Sequence, residues 1–300
     1  MAMKYRPLGK SSLMVSEIGF GCMSLGGDGA ANEKLVQRAL ELGINYFDTA
    51  DIYDNGMNEA RLGTILKSKR SQVILATKVG NQLVPGEKGL RWNPGREYIL
   101  KSAEESLKRL QTDYIDLYQL HGGTMEDPMT ETIGAFEKLK EQGKIRFYGI
   151  SSIRPEVIRA YVRLSGIVSV MMQYSLLDRR PEESCLDLLK ENQVGVLARG
   201  SIAQGLLVNK PARPYLNYAE AEVRKMAEAV SKLSGPDRSP AQTALRYVLS
   251  HDAISSAVAG IRHPAQLEDL AAMQASPPLS EEEMQTLRQV LVANRYEQYR

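Results

Sequence analysis

The chain is short of the residues that build cross-links and metal sites: 300 residues contain two cysteines, three histidines, one tryptophan and four phenylalanines. Cys22 and Cys185 lie far apart and form no CxxC, which argues against a disulfide framework and fits a reducing cytoplasm. His121, His251 and His263 make no HExxH and stand at no ligand spacing to a cysteine, so no metal is expected. No apolar run approaches the roughly 20 residues of a membrane helix. The amino terminus, MAMKYRPLGK, has no apolar h-region, so a soluble, unprocessed chain is expected. Net charge is nearly absent as well, since 38 basic and 36 acidic side chains leave +2, too little for a nucleic-acid surface. The phosphate-binding glycine fingerprints are missing too. GFGCMSLGG begins like GxGxxG, but Ser24 stands at the third glycine, no acid follows at the expected strand end, and there is no Walker A loop.

What remains is a chain with 43% apolar residues and a regular rhythm. Tyr5 to Gly9 and Leu13 to Ser16 flank GKSS and predict a hairpin that closes one end of a larger body. Strand and helix patterns then alternate. The expected strands are Ile18 to Gly21, Tyr46 to Asp48, Val73 to Lys78, Tyr114 to Leu120, Ile145 to Ser151, Val168 to Gln173, Val194 to Ala198 and Ala253 to Gly260. Each is followed by a helical pattern; from about Pro94 to Leu110, for example, Ile99, Leu100, Ala103, Leu107 and Leu110 recur near a 3.6 period. Short strands with helical crossovers demand parallel pairing, and eight such units close into a barrel. The expected fold is therefore a (β/α)8 TIM barrel, one domain over residues 1–300, with a short N-terminal β-hairpin and additional C-terminal helices. An open doubly wound sheet is the alternative.

In a parallel barrel the chemistry gathers at the carboxyl ends of the strands. Asp48 ends the second strand, Tyr53 follows in its loop, Lys78 ends the third and His121 follows the fourth. An ammonium about 4 Å from a phenol favours its anion by roughly 4 kcal/mol at an effective dielectric of about 20. Lys78 would do this for Tyr53, Asp48 would hold Lys78 charged, and a neutral His121 would orient a carbonyl oxygen. Together they make a proton donor for a carbonyl. Singly, each is more often a surface, salt-bridge or core residue.

These residues, in FDTADIY, ATKVG and LYQLHG, resemble the catalytic tetrad of the bacterial aldo-keto reductases. The similarity continues through YRPLGKSSLMVSEIGFG, GKIRFYGIS, QYSLLDRRPE, SPAQTALRYVLS and AGIRHPAQLEDL. It implies reduction of a small carbonyl substrate with NADPH, bound extended over the barrel mouth. Ser151, Ser152 and Gln173 would hold the carboxamide, with Gly21, Cys22, Met23 and Asp48 beside the nicotinamide. The loop carrying Arg199, Gly200, Ser201, Ile202, Gln204, Gly205 and Lys210 would cover the pyrophosphate. Gly260, Arg262 and Gln266 would receive the adenosine end, with Arg262, beside His263, on the 2′-phosphate. Three positions depart from the family's pattern. Ser152 replaces a usual Asn, Leu270 stands where an Asn often meets the adenine, and Arg199 replaces an aromatic residue, so its charge would disfavour the oxidised nicotinamide ring.

Met23, Leu25, Tyr53, Trp92, Tyr296 and Tyr299 are expected to line the substrate pocket, with NQLVPGEKGLRWN as a wall or flap and Trp92 as either platform or plug. Two other functions share the fold: a cofactor-sensing regulatory subunit, which needs an interaction extension or a contact surface and for which no added amino-terminal segment is expected here, and an aldolase with Lys78 as a Schiff base. Asp48 argues against the second by keeping the lysine charged. The physiological substrate and the oligomeric state are not readable from the residues.

Overall fold

The computed structural model describes residues 2–84, 86, 89–298 and 300. The chain begins with the hairpin β1 (Tyr5–Pro7) and β2 (Met14–Ser16), followed by β3 (Ile18–Gly21), α1 (Gly29–Glu41), β4 (Tyr46–Asp48), α2 (Met57–Leu66) and β5 (Ile74–Val79). A second hairpin, β6 (Asn81–Leu83) with β7 (Leu90–Trp92), precedes α3 (Arg96–Leu110), β8 (Ile115–Leu120), α4 (Met129–Glu141), β9 (Ile145–Ser151) and α5 (Pro155–Leu164). Then come β10 (Ser169–Gln173), α6 (Cys185–Glu191), β11 (Gly195–Arg199), α7 (Glu220–Lys232), α8 (Pro240–Leu249), β12 (Ile254–Gly260), α9 (Pro264–Ala272) and α10 (Glu281–Val290).

Strands β3, β4, β5, β8, β9, β10, β11 and β12 pair in parallel in that order, and β12 returns to β3 to close the barrel. Side chains alternate along each strand and so divide the core in two. Tyr46, Ala76, Leu117, Met171, Leu197 and Val258 fill the barrel interior. Leu8, Leu13 and Val15 of the first hairpin join this cluster and stop the barrel's amino end. Outward neighbours, among them Phe47, Leu75, Tyr118, Ile150 and Val196, belong to the larger cluster beneath the helices. The expected hairpin thus serves as a plug. Among the described residues no helix is long and apolar enough to cross a membrane.

Local chemistry sets the helix boundaries. Asp28 accepts from the Ala31 amide to start α1, and reciprocal Ser–Gln and Ser–Glu capping boxes start α8 and α10. The crossover helix after β10 begins only at Cys185. Residues Arg180–Glu183 form a 3-10 turn, Ser184 breaks the geometry, and the Glu182 carboxylate is taken by Tyr174, Tyr247 and Arg179. The segment expected as a wall or flap after β5 contains the β6–β7 hairpin.

Gly63 marks where α2 crosses the end of α3, since a Cβ there would lie 2.5 Å from the Leu110 backbone carbonyl. Alanine would add about 1 kcal/mol of helix propensity, but a carbonyl cannot rotate away as a side chain does, so overpacking against it costs about 2–3 kcal/mol, the upper part of the usual range. Gly63→Ala is therefore expected to lose about 1–2 kcal/mol in urea unfolding; a variant more stable than the parent would show that the two helices are free to separate.

Candidate active site

The inner, carboxyl-terminal layer of the barrel changes from apolar to polar. Two residues beyond Tyr46 on β4 is Asp48, two beyond Ala76 on β5 is Lys78, and two beyond Leu117 on β8 is Gln119. By the same period β9, β10 and β11 end in Ser151, Gln173 and Arg199. Lys78 is 1% exposed, with its Nζ donating to Asp48 Oδ2 at 2.5 Å and to the Thr49 carbonyl at 2.7 Å. Burial pulls the ammonium's pKa down, but Asp48 and Tyr53 more than offset it and leave it above the ordinary lysine value. The other Asp48 oxygen accepts from Gln119 at 3.3 Å and from the Tyr46 hydroxyl at 3.4 Å.

Tyr53 begins a 3-10 turn after β4, and the Lys78 ammonium lies 5.2 Å from its ring centroid. His121 meets that ring edge-on at 6.1 Å between centroids. Burial first, then the Lys78 and Arg199 cations, lower the His121 pKa to about 3, so the imidazole is neutral at physiological pH. Its Nδ1 is buried with no hydrogen-bond partner among the described residues. The structure thus brings Asp48, Tyr53, Lys78 and His121 together, and adds Tyr46, Gln119 and the Thr49 carbonyl, which the sequence reading missed. Tyr46 and Gln119 each stand two residues before a tetrad member, so the strand period was the signal that pointed to them.

The expected cofactor residues occupy the same mouth. Ser151 and Ser152 are buried at the end of β9, and Gln173 and Arg199 are paired neighbours on β10 and β11. Gly200 at φ +70° turns the chain beside the Gln173 side chain. Ser201 follows with its Oγ buried and unpartnered, then half-buried Ile202 and exposed Gln204. The Lys210 stem lies over Gly205, whose φ is +93°. Gly260, Arg262 and Gln266 are exposed; the Gln266 side chain accepts from the Arg262 amide, and the Arg262 guanidinium pairs with no carboxylate among the described residues. Gly21 is half-buried, Met23 is 65% exposed and Cys22 is fully buried, where burial and Asp48 push its thiol pKa up. Leu270 packs in the core.

The expected substrate wall needs correction. Leu25 and Tyr296 are 3% and 5% exposed and packed into the core, the latter against the Arg180 guanidinium, so neither presents a free face. Tyr299 lies outside the described residues. Trp92 is held in place: its Nε1 donates to Asp127 at 2.8 Å, and its ring lies against Gly80 and Gly122, where a Cβ would come within 2.7 Å and 3.0 Å of it. Among the described residues no cluster of His, Cys, Asp and Glu is suited to a metal ion.

The aldo/keto reductase family model matches residues 17–292, and the chain belongs to that family. It is an oxidoreductase fold with bacterial relatives. An uncharacterized oxidoreductase of Bacillus subtilis, YqkF, is 47% identical over 95% of this chain and 96% of its own length. The holo form of the aldo-keto reductase AKR11C1 from Bacillus halodurans superposes with a TM-score of 0.94 at 49% identity, covering 99% of both chains. An NADH-specific methylglyoxal reductase of Escherichia coli is 33% identical over 71% of this chain and 72% of its own.

One acid beside the tetrad stays outside it. Asp51 is 9% exposed, its Oδ1 has no hydrogen-bond partner among the described residues, and burial together with the Glu59 charge raises its pKa to about 7. The unfolded value is about 3.9. Between those values the folded chain keeps a proton that the unfolded chain has lost, so stability falls as pH rises through this window. Asp51→Asn removes that penalty. The variant should match the parent near pH 4 and exceed it at pH 8 by up to about 4 kcal/mol in urea unfolding; an equal difference at both pH values would place the ionisation elsewhere.

Proposed function

We propose that this protein reduces small aldehydes or ketones to alcohols, with NADPH as cofactor, in a reducing cytoplasm. One observation carries the reading: a buried ammonium, held by Asp48 and Thr49, lies beneath the ring of Tyr53 and beside a neutral, unpartnered imidazole. Tyr53 gives its hydroxyl proton to the carbonyl oxygen, and Lys78 stabilises the phenolate left behind. His121 orients the same oxygen by hydrogen bonding, which its neutral form allows without competing for the proton.

NADPH, when bound, supplies the hydride, which no side chain provides. The residues present suit it. Buried Ser151 and Ser152, with Gln173, offer polar atoms to a carboxamide, the Ser201 Oγ and the Gly200 turn offer donors to a phosphate, and exposed Arg262, which pairs with no carboxylate among the described residues, suits the 2′-phosphate. Arg199 keeps a cation at the mouth, close enough to act on His121. A Schiff-base aldolase is disfavoured because the Lys78 ammonium is held charged. A regulatory role is disfavoured because the relatives named above are oxidoreductases and reductases.

Mixing the protein with NADPH and 4-nitrobenzaldehyde while following cofactor absorbance tests the activity. Tyr53→Phe is expected to lower turnover by at least about 100-fold, the lower range for removing a general acid, with cofactor binding retained; full turnover in that variant would end this reading. Arg262→Ala is expected to weaken NADPH by about 1.5–3 kcal/mol, as for one hydrogen bond to a charged group, and to leave NADH nearly unchanged. A loss shared by both nucleotides would remove Arg262 from the 2′-phosphate.

A further inference from the structure

Directly after the loop that carries Tyr53, two adjacent polar residues, Asn58 and Glu59, are almost wholly buried at 1% and 0% exposure. They lie on α2, outside the barrel, and among the described residues neither hydrogen-bonds to a tetrad side chain. Asn58 Oδ1 accepts from the Thr49 hydroxyl at 2.7 Å, and its Nδ2 donates to the Cys22 carbonyl at 2.8 Å and the Leu25 carbonyl at 3.4 Å. Thr49 is the residue whose carbonyl receives the Lys78 ammonium. Glu59 accepts from Thr77, the strand neighbour of Lys78, at 2.5 Å, and from Ser106 and Arg109 of α3 at 3.3 Å and 2.6 Å.

Between Tyr53 and these anchors the backbone is strained. Asp54, Asn55 and Gly56 take φ values of +48°, +53° and +85° in succession. Three left-handed residues in a row persist only where the surroundings hold them. Asp54 is tied to Arg61 at 2.5 Å, and the Arg109 side chain fills the space against Gly56, where a Cβ would meet it at 2.9 Å. Arg109 therefore supports the loop and the Glu59 carboxylate at once.

We propose that Asn58 and Glu59 are positioning residues, one acting through Thr49 and the other through Thr77 and Arg109, which fix the Tyr53 hydroxyl relative to the Lys78 ammonium. Buried polar groups cost stability unless every partner is present, and here the partners join the ends of β3, β4 and β5 to one loop. The inference rests on the reading of Tyr53 and Lys78 given above.

The test compares Asn58→Ala, Glu59→Gln, Thr49→Val and Thr49→Ser in NADPH-dependent reduction of 4-nitrobenzaldehyde, with cofactor binding followed by fluorescence titration. A misplacement on the order of 1 Å costs up to about 100-fold. Asn58→Ala, Glu59→Gln and Thr49→Val are expected to lower kcat by about 10- to 100-fold, with KM and cofactor affinity changed by less than about threefold. Thr49→Ser, which keeps the donating hydroxyl, should recover at least about tenfold over Thr49→Val. Should Asn58→Ala fail to fold, the near-isosteric Thr49→Val and Thr49→Ser pair carries the comparison. Parental kcat in Thr49→Val, equal losses in the Val and Ser variants, or a loss confined to KM would overturn the proposal. Turnover by Tyr53→Phe sinks the functional reading itself, whereas an inactive Tyr53→Phe beside a fully active Thr49→Val sinks only this inference.

Discussion

The fold is organised around one buried ion pair. Lys78 and Asp48 meet at 2.5 Å where both are nearly inaccessible to water. Such a pair gives little net stability, because desolvation offsets most of the attraction, yet removing one partner typically costs about 3–5 kcal/mol. An apolar pair of similar volume would fill the barrel at least as well. The geometry here is instead completed atom by atom: Thr49 takes a second ammonium proton, while Gln119 and Tyr46 occupy the other carboxylate oxygen. A charge held this tightly cannot swing toward solvent, so its field falls permanently on the ring above it.

That field shapes the rest of the mouth. Burial, with the Lys78 and Arg199 cations beside it, keeps the His121 imidazole neutral. Only one carboxylate of the tetrad balances them. A site with this balance favours negative charge growing on an oxygen, without waiting for solvent to reorganise. The glycines at the mouth serve the same end by steric means. Gly80 and Gly122, at φ +126° and +150°, let the edge of the Trp92 ring come close to the strand ends, and the Asp127 bond to its indole nitrogen holds the ring at one side of the mouth.

The sequence made the barrel legible because strands buried on both faces read as short apolar runs, and their crossover helices read as amphipathic stretches of the right length. The meeting of Asp48, Tyr53, Lys78 and His121 was legible for a related reason, since a polar side chain at or just after the end of an apolar strand has one obvious place to point. Other features were hidden by their nature. Tyr46 reads as strand core, and only its hydroxyl, facing Asp48, belongs to the site. Glu59 reads as a solvated helix acid, because its main partner, Arg109, stands fifty residues further along the chain. Leu25 and Tyr296 look like pocket lining in sequence, yet packing under the loops and against Arg180 takes them into the core.

The same alternation that makes a strand pattern visible also explains how the site can be both reactive and rigid. On β5, Lys78 faces the barrel interior while Thr77 faces the helices; at the end of β4, Asp48 faces inward while Thr49 turns its hydroxyl outward to α2. Each of these two strand ends therefore carries a residue of the site and, one position away, a residue that fastens it to the outer layer. A sheet with one solvated face has water where these fasteners sit. In a closed barrel wrapped by helices the outer face is dry, so a hydroxyl, an amide and a carboxylate there must find protein partners. The requirement that those polar atoms be satisfied is what ties the loop of Tyr53 to the strands of Asp48 and Lys78.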